Sequence, residues 1–114
     1  MARSAKPKEV IIFSREDGKE PFSDWLKSLK EANIRQRILA RLRRLEQGNY
    51  GDCEPVGQGV SELRFFFGPG YRVYFGETDG CIVVLLCGGD KKTQKKDIKQ
   101  AQIYWQEFLT NEEL

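Results

Sequence analysis

The chain has 114 residues, 39% hydrophobic and 32% charged, with a formal net charge of +2. That length supports one compact domain with one core, and no apolar run approaches the ~20 residues of a membrane helix. Histidine is absent, and Cys53, Cys81 and Cys87 form no CxxC pair, which argues against a metal site and against a disulfide framework.

Residues 1–7 are polar and end in Pro7, with no apolar core of a signal peptide, so a loose arm on a cytoplasmic protein is expected. Residues 9–13 (EVIIF) read as a short strand from their β-branched and aromatic content. Pro21 suits a first helical position, and Phe22, Trp25, Leu26 and Leu29 recur at i, i+3, i+4 and i+7, which predicts an amphipathic helix. Ile34, Ile38, Leu42 and Leu45 predict a second helix that stops near Gly48. Its polar side carries Arg37, Arg41 and Arg44, expected to face solvent.

Residues 49–59 hold three glycines and Pro55 and read as a connection. Three strands follow. Residues 60–67 and 70–75 meet at Gly68-Pro69-Gly70, and Asp79-Gly80 is a two-residue hairpin signal before residues 81–87. That last run, CIVVLLC, lacks polar alternation, which marks a central strand whose thiols serve as small core hydrophobes. Thr93 then suits the N-cap of a final helix with Ile98, Ala101, Trp105 and Phe108 on one stripe. The expectation is a single α+β domain over residues 1–114. It has a small, mostly antiparallel four-stranded sheet, two N-terminal helices packed on it, a C-terminal helix, and one sheet face open.

Charge is segregated along the chain. Residues 27–44 hold seven basic side chains against Glu31, and residues 91–99 hold five lysines against Asp97, so a one-sided positive field is expected despite near neutrality. Alternation in the hairpin puts Leu63, Phe65 and Phe67 on one face and Glu62, Arg64 and Phe66 on the other. An odd connection, such as the three residues Gly68-Pro69-Gly70, keeps both apolar sets on the core side. Phe66 then opposes Arg72, Arg64 opposes Tyr74, and a two-residue turn at Asp79-Gly80 pairs Arg72 with Cys87. The outer patch gathers Arg64 and Arg72 with Phe66, Tyr74, Lys91, Lys92 and Lys95. Basic groups interleaved with rings suit single-stranded nucleic acid. The pattern equally allows Arg64 to pair with a cross-strand acid, Arg72 to anchor the acidic tail, and the rings to be covered by a partner.

The stretches GVSELRFFFGPGYRVYF and IVVLLCGGDKKTQKKDIKQA together resemble RelE/HigB-type toxins of bacterial toxin-antitoxin modules, in particular the phage-derived addiction-module killer proteins, over residues 8–109. The resemblance implies a RelE-like fold and an endoribonuclease that cuts mRNA on the ribosome without metal or cofactor. It also implies restraint by a helix-turn-helix antitoxin from an adjacent gene, in a hetero-oligomer. By position, Arg72 matches the arginine on the scissile phosphate, Arg64 a basic position on the preceding strand, and Lys91 a further catalytic basic residue. Phe66, Tyr74, Lys92 and Lys95 are expected to bind RNA. The chain has no histidine, and Asp97 lies near the position of a tyrosine in other members, so proton transfer falls to Lys91, with Glu62 as the carboxylate alternative. Two competing readings are a noncatalytic RelE-fold protein that binds antitoxin and nucleic acid, and a ribosome blocker that leaves mRNA intact.

Overall fold

A computed structural model describes residues 6–112, so most of the expected arm over residues 1–7 lies outside the described residues. Strand β1 (Glu9–Ile12) is followed by α1 (Pro21–Ser28), opened by Pro21, and α2 (Ala32–Glu46), which ends at Gln47 before Gly48 turns the chain at φ 87°. Strands β2 (Cys53–Gly57), β3 (Val60–Arg64), β4 (Arg72–Thr78) and β5 (Ile82–Gly89) come next, and α3 (Gln94–Glu112) closes the chain.

The sheet has five strands rather than four, in the order β1-β5-β4-β3-β2, with β1 parallel to β5 and every other pairing antiparallel. The extra strand is β2, inside the segment read as a connection. Its Pro55 has no N–H to give a ladder, which an edge strand tolerates because one of its sides is unpaired. A two-residue turn at Gln58 (φ 57°) and Gly59 (φ 81°) joins β2 to β3.

Helices cover both faces of the sheet, so the expected open face does not exist over most of its area. On one side α1 and α2 pack Phe22, Ile38, Leu42 and Leu45 against Leu63, Val73, Phe75, Val83 and Leu85. On the other, Ala101 and Trp105 of α3 pack with Phe13, Val60, Tyr74, Val84, Leu86 and Cys87. Each face has a glycine beneath a tryptophan: a Cβ at Gly76 would collide with the Trp105 indole, and one at Gly88 with that of Trp25. Strand β5 is central, as its composition predicts, with Cys87 buried in it, but Cys81 is exposed at the preceding turn rather than in the core.

The hairpin register differs from expectation by two residues. Arg64 pairs with Arg72 and Glu62 with Tyr74, and the Phe65 N–H reaches the Tyr71 carbonyl at 3.0 Å. A shift of two preserves the face of every side chain, so both arginines still point away from α1 and α2. Beyond the ladder the Phe67 ring packs against those of Phe65 and Tyr71, with centroids 5.8 Å away in each case. A second difference lies across β4 and β5. The turn takes three residues, with Asp79 at φ 59° and Gly80 at φ 69°, and an irregularity after Tyr74 leaves Leu86 as an extra residue. Tyr74 therefore pairs with Cys87, and Arg72 with Gly89 rather than with Cys87.

Candidate anion-binding site

Residues Glu62 and Arg64 alternate on β3, opposite Tyr74 and Arg72 on β4, and all four side chains lie on the face that carries α3. This polar group occupies the end of the sheet next to the start of α3. Glu62 is 2% exposed and is the one buried charged residue of the described core. Its Oε2 accepts from the Tyr74 hydroxyl at 3.1 Å and from Gln94 Nε2 at 2.9 Å, and Arg72 Nε lies 3.3 Å away. Burial, then the nearby Glu62 carboxylate, push the Tyr74 pKa well above the ordinary phenol value. The Tyr74 hydroxyl therefore keeps its proton and acts as donor to Glu62.

Arg72 is held at two points. Its Nη1 donates to the Gly70 carbonyl at 2.9 Å, and its Nε is within ion-pair reach of Glu62 without the alignment of a hydrogen bond. Gly70 sits at φ 78°, and Lys91 is its neighbour across the loop, with the Lys91 N–H 3.4 Å from the Pro69 carbonyl. Lys91 thus lies beside the Arg72 loop, while Lys92 and Lys95 are exposed on the same turn and the start of α3.

That start is organised by side chains rather than left open. Asp90 Oδ1 accepts from the Thr93 N–H at 3.2 Å, the Asp90 N–H reaches Thr93 Oγ1 at 3.3 Å, and Thr93 Oγ1 also contacts Asp97. Burial raises the Asp97 pKa. A Cβ at Gly89 would overlap the Asp97 carboxylate, so only glycine lets α3 begin this close to β5.

Arg64 is drawn into a different set of contacts. It forms a fork on Asp52, Nε to Oδ2 at 3.0 Å and Nη2 to Oδ1 at 2.9 Å, and Nη2 also lies 3.1 Å from Glu54 Oε1. Both acids belong to the β2 region, whose glycines and Pro55 read as a connection. Alternation of Asp52 and Glu54 opposite Glu62-Leu63-Arg64 is the sequence signal for this edge pairing.

The two aromatic residues separate. The Tyr74 ring is fully buried and has no face to offer a base, contrary to expectation. Phe66 is 85% exposed. It does not join the Arg72 group but lines a cavity of about 300 Å³ with Arg37, Ala40, Arg41, Arg44, Phe65 and Phe67. There the Arg37 guanidinium stacks 3.7 Å from the Phe67 ring centre. Arg41 is not a solvated arginine, because it donates to the carbonyls of Arg64, Tyr50 and Asp52 at 2.8, 3.2 and 3.3 Å. Gln94 carried no signal in the sequence beyond opening a helix.

Among the described residues no group of three or more His, Cys, Asp or Glu side chains is arranged to hold a metal ion, and no helix is long and apolar enough to cross a membrane. On this α+β domain one arginine, held by Glu62 and the Gly70 carbonyl, thus lies beside three exposed lysines. At the level of the sequence, residues 24–106 match the family described as phage derived protein Gp49-like (DUF891), and the chain belongs to that family. It is also 51% identical over 87 residues to an "Uncharacterized protein" of Haemophilus influenzae (strain Rd), covering 76% of this chain and 88% of that relative.

Proposed function

We propose that the chain is the toxin of a toxin-antitoxin module, a RelE/HigB-type endoribonuclease that cuts mRNA on the ribosome in the cytoplasm and is neutralised by a helix-turn-helix antitoxin. Arg72 carries this reading, with its guanidinium gripped by Glu62 and the Gly70 carbonyl beside the exposed Lys91, Lys92 and Lys95. Membership of the Gp49-like phage-derived family supports the toxin class.

In this scheme the RNA 2′-oxygen attacks the adjacent phosphorus while the uncharged amine of Lys91 takes its proton. The bond from phosphorus to the 5′-oxygen breaks, and that oxygen takes a proton from water, leaving a 2′,3′-cyclic phosphate and a 5′-hydroxyl; the Lys91 ammonium returns its proton to solvent. Arg72 stabilises the added negative charge of the pentacoordinate transition state, and Lys92 and Lys95 hold flanking phosphates. The exposed Phe66 ring offers a stacking surface to a base further along the strand. Arg64, forked on Asp52 and close to Glu54, fixes the β2 edge without touching the phosphate.

Mapping of mRNA 5′ ends in a translating extract tests the reading. The wild-type chain is expected to produce new ends, and Arg72→Ala is expected to lower the cleavage rate by about 10²-fold or more. Intact cleavage by that variant removes Arg72 from the reaction. A second reading, a noncatalytic binder of antitoxin and nucleic acid, is favoured by one observation: both site arginines already face carboxylates. Expression of the chain alone separates the two, since growth arrest with cut mRNA belongs to the nuclease and harmless expression to the binder.

A further inference from the structure

A carboxylate taken out of water is unfavourable unless charge and hydrogen bonds compensate. Glu62 is 2% exposed, and its compensation converges on one atom: Oε2 meets the Tyr74 hydroxyl at 3.1 Å, Gln94 Nε2 at 2.9 Å and Arg72 Nε at 3.3 Å. Arg72 is meanwhile held from its other flank through Nη1 on the Gly70 carbonyl. A guanidinium is planar with fixed donor directions. The Nη1 hydrogen bond and the Nε ion pair hold the group from two sides, and Nη2 has no hydrogen-bond acceptor among the described residues.

We propose that Glu62 is a positioning residue that acts through Arg72, with Gln94 holding the carboxylate in place, rather than the proton acceptor of the reaction. This rests on the reading that Arg72 contacts the scissile phosphate. A general base must come within hydrogen-bond reach of the 2′-hydroxyl, whereas Glu62 is 2% exposed and its Oε2 already accepts from Tyr74 and Gln94 and faces Arg72. Gln94 gives the device reach across the molecule, because it ties the first turn of α3, and so the lysine-bearing loop before it, to the strand pair that carries Arg72.

The role has a signature that electrostatics alone does not give. A carboxylate 3.3 Å from Arg72 offsets its charge. Removing that charge should tighten RNA binding severalfold, while loss of the grip should slow the chemical step. Glu62→Gln keeps the shape and an oxygen for Tyr74, so its kcat should fall about tenfold with KM lowered and with the pH-rate profile retained. Gln94→Met, at a half-exposed helix start, should lower kcat about threefold with little change in melting temperature, and it reports on the same device if Glu62→Gln fails to fold.

The decisive measurement is a double-mutant cycle of Glu62→Gln with Arg72→Gln, read both as kcat on cleavable RNA and as affinity for an oligonucleotide with a 2′-deoxy sugar at the cleavage position. Positioning through Arg72 predicts that Glu62→Gln has less than a twofold effect on either readout once Arg72 is replaced. Additive effects overturn it. So does loss of the acidic limb of the pH-rate profile in Glu62→Gln, which would make Glu62 the base. A wild-type chain that binds the deoxy oligonucleotide but cuts no RNA overturns the nuclease reading alone, and the coupling in binding still decides the role of Glu62.

Discussion

Cys87 shows how strongly single side chains are conditioned by their surroundings. Burial pushes its thiol pKa up to about 12, while Cys81 sits exposed at the β4–β5 turn. Thiolate is the reactive form. In the folded chain Cys87 therefore stays protonated across the neutral range, and the linked stability is fully present below the unfolded thiol value of about 8.5 and declines as pH rises toward the folded value. Alkylation with iodoacetamide at pH 8 followed by peptide mass spectrometry should modify Cys81 rapidly and Cys87 only on unfolding; rapid labelling of native Cys87 contradicts its burial. The face of each hairpin arginine was legible in sequence because side-chain direction depends only on parity. Their partners were not, since Asp52, Glu54 and Gln94 reach the site from segments whose approach no local pattern encodes.

At the scale of elements, the extended strand β5 sets most of what the sheet does. The run Ile82–Leu86 is apolar on both faces, and that composition already required a cover on each side, so an open face was incompatible with it from the start. The irregularity at Leu86 was not legible, because an added residue in one strand is an accommodation to its neighbour rather than a property of its own sequence. Strand β2 was hidden for a related reason: Pro55 and Gly57 are unsuited to a central strand but acceptable at an edge, and edge position is decided by the rest of the sheet. Close approach of α3 depends on Gly76. Its replacement by alanine drives a methyl group into the Trp105 ring and is expected to destabilise the fold by about 1–3 kcal/mol, read from urea unfolding at constant m. A loss within about 0.5 kcal/mol would mean that Trp105 moves aside at no cost, as surface changes do.

Over the whole molecule, charge is arranged on two sides of one sheet. The arginines of α2 and the lysines before α3 lie on opposite faces, so a net charge of only +2 conceals two separate positive surfaces. Affinity for single-stranded RNA should fall linearly in log-log form with salt, by about 0.7 per phosphate contact. Lys92→Ala is expected to reduce that slope by about 0.7 with the same effect on every sequence, since phosphate contacts carry no base information. Titration of a fluorescent oligonucleotide at several salt concentrations measures it, and an unchanged slope removes Lys92 from the interface. The α+β class and the order of the helices were legible because they follow from periodicity; the two-sided covering was not assigned because nothing in the α3 stripe says which face it meets.

The parallel pairing of β1 with β5 also has a temporal meaning during synthesis. Glu9–Ile12 emerge first, yet their partners Ile82–Leu85 follow roughly seventy residues later, an interval of about 4–15 s at typical elongation rates of about 5–20 residues per second. The antiparallel strands β2 to β5 can zip locally as they appear, whereas β1 has to wait and then close a long loop. Gln94 arrives later still, so the nascent chain holds Arg72 without its full set of supports until the last helix has begun.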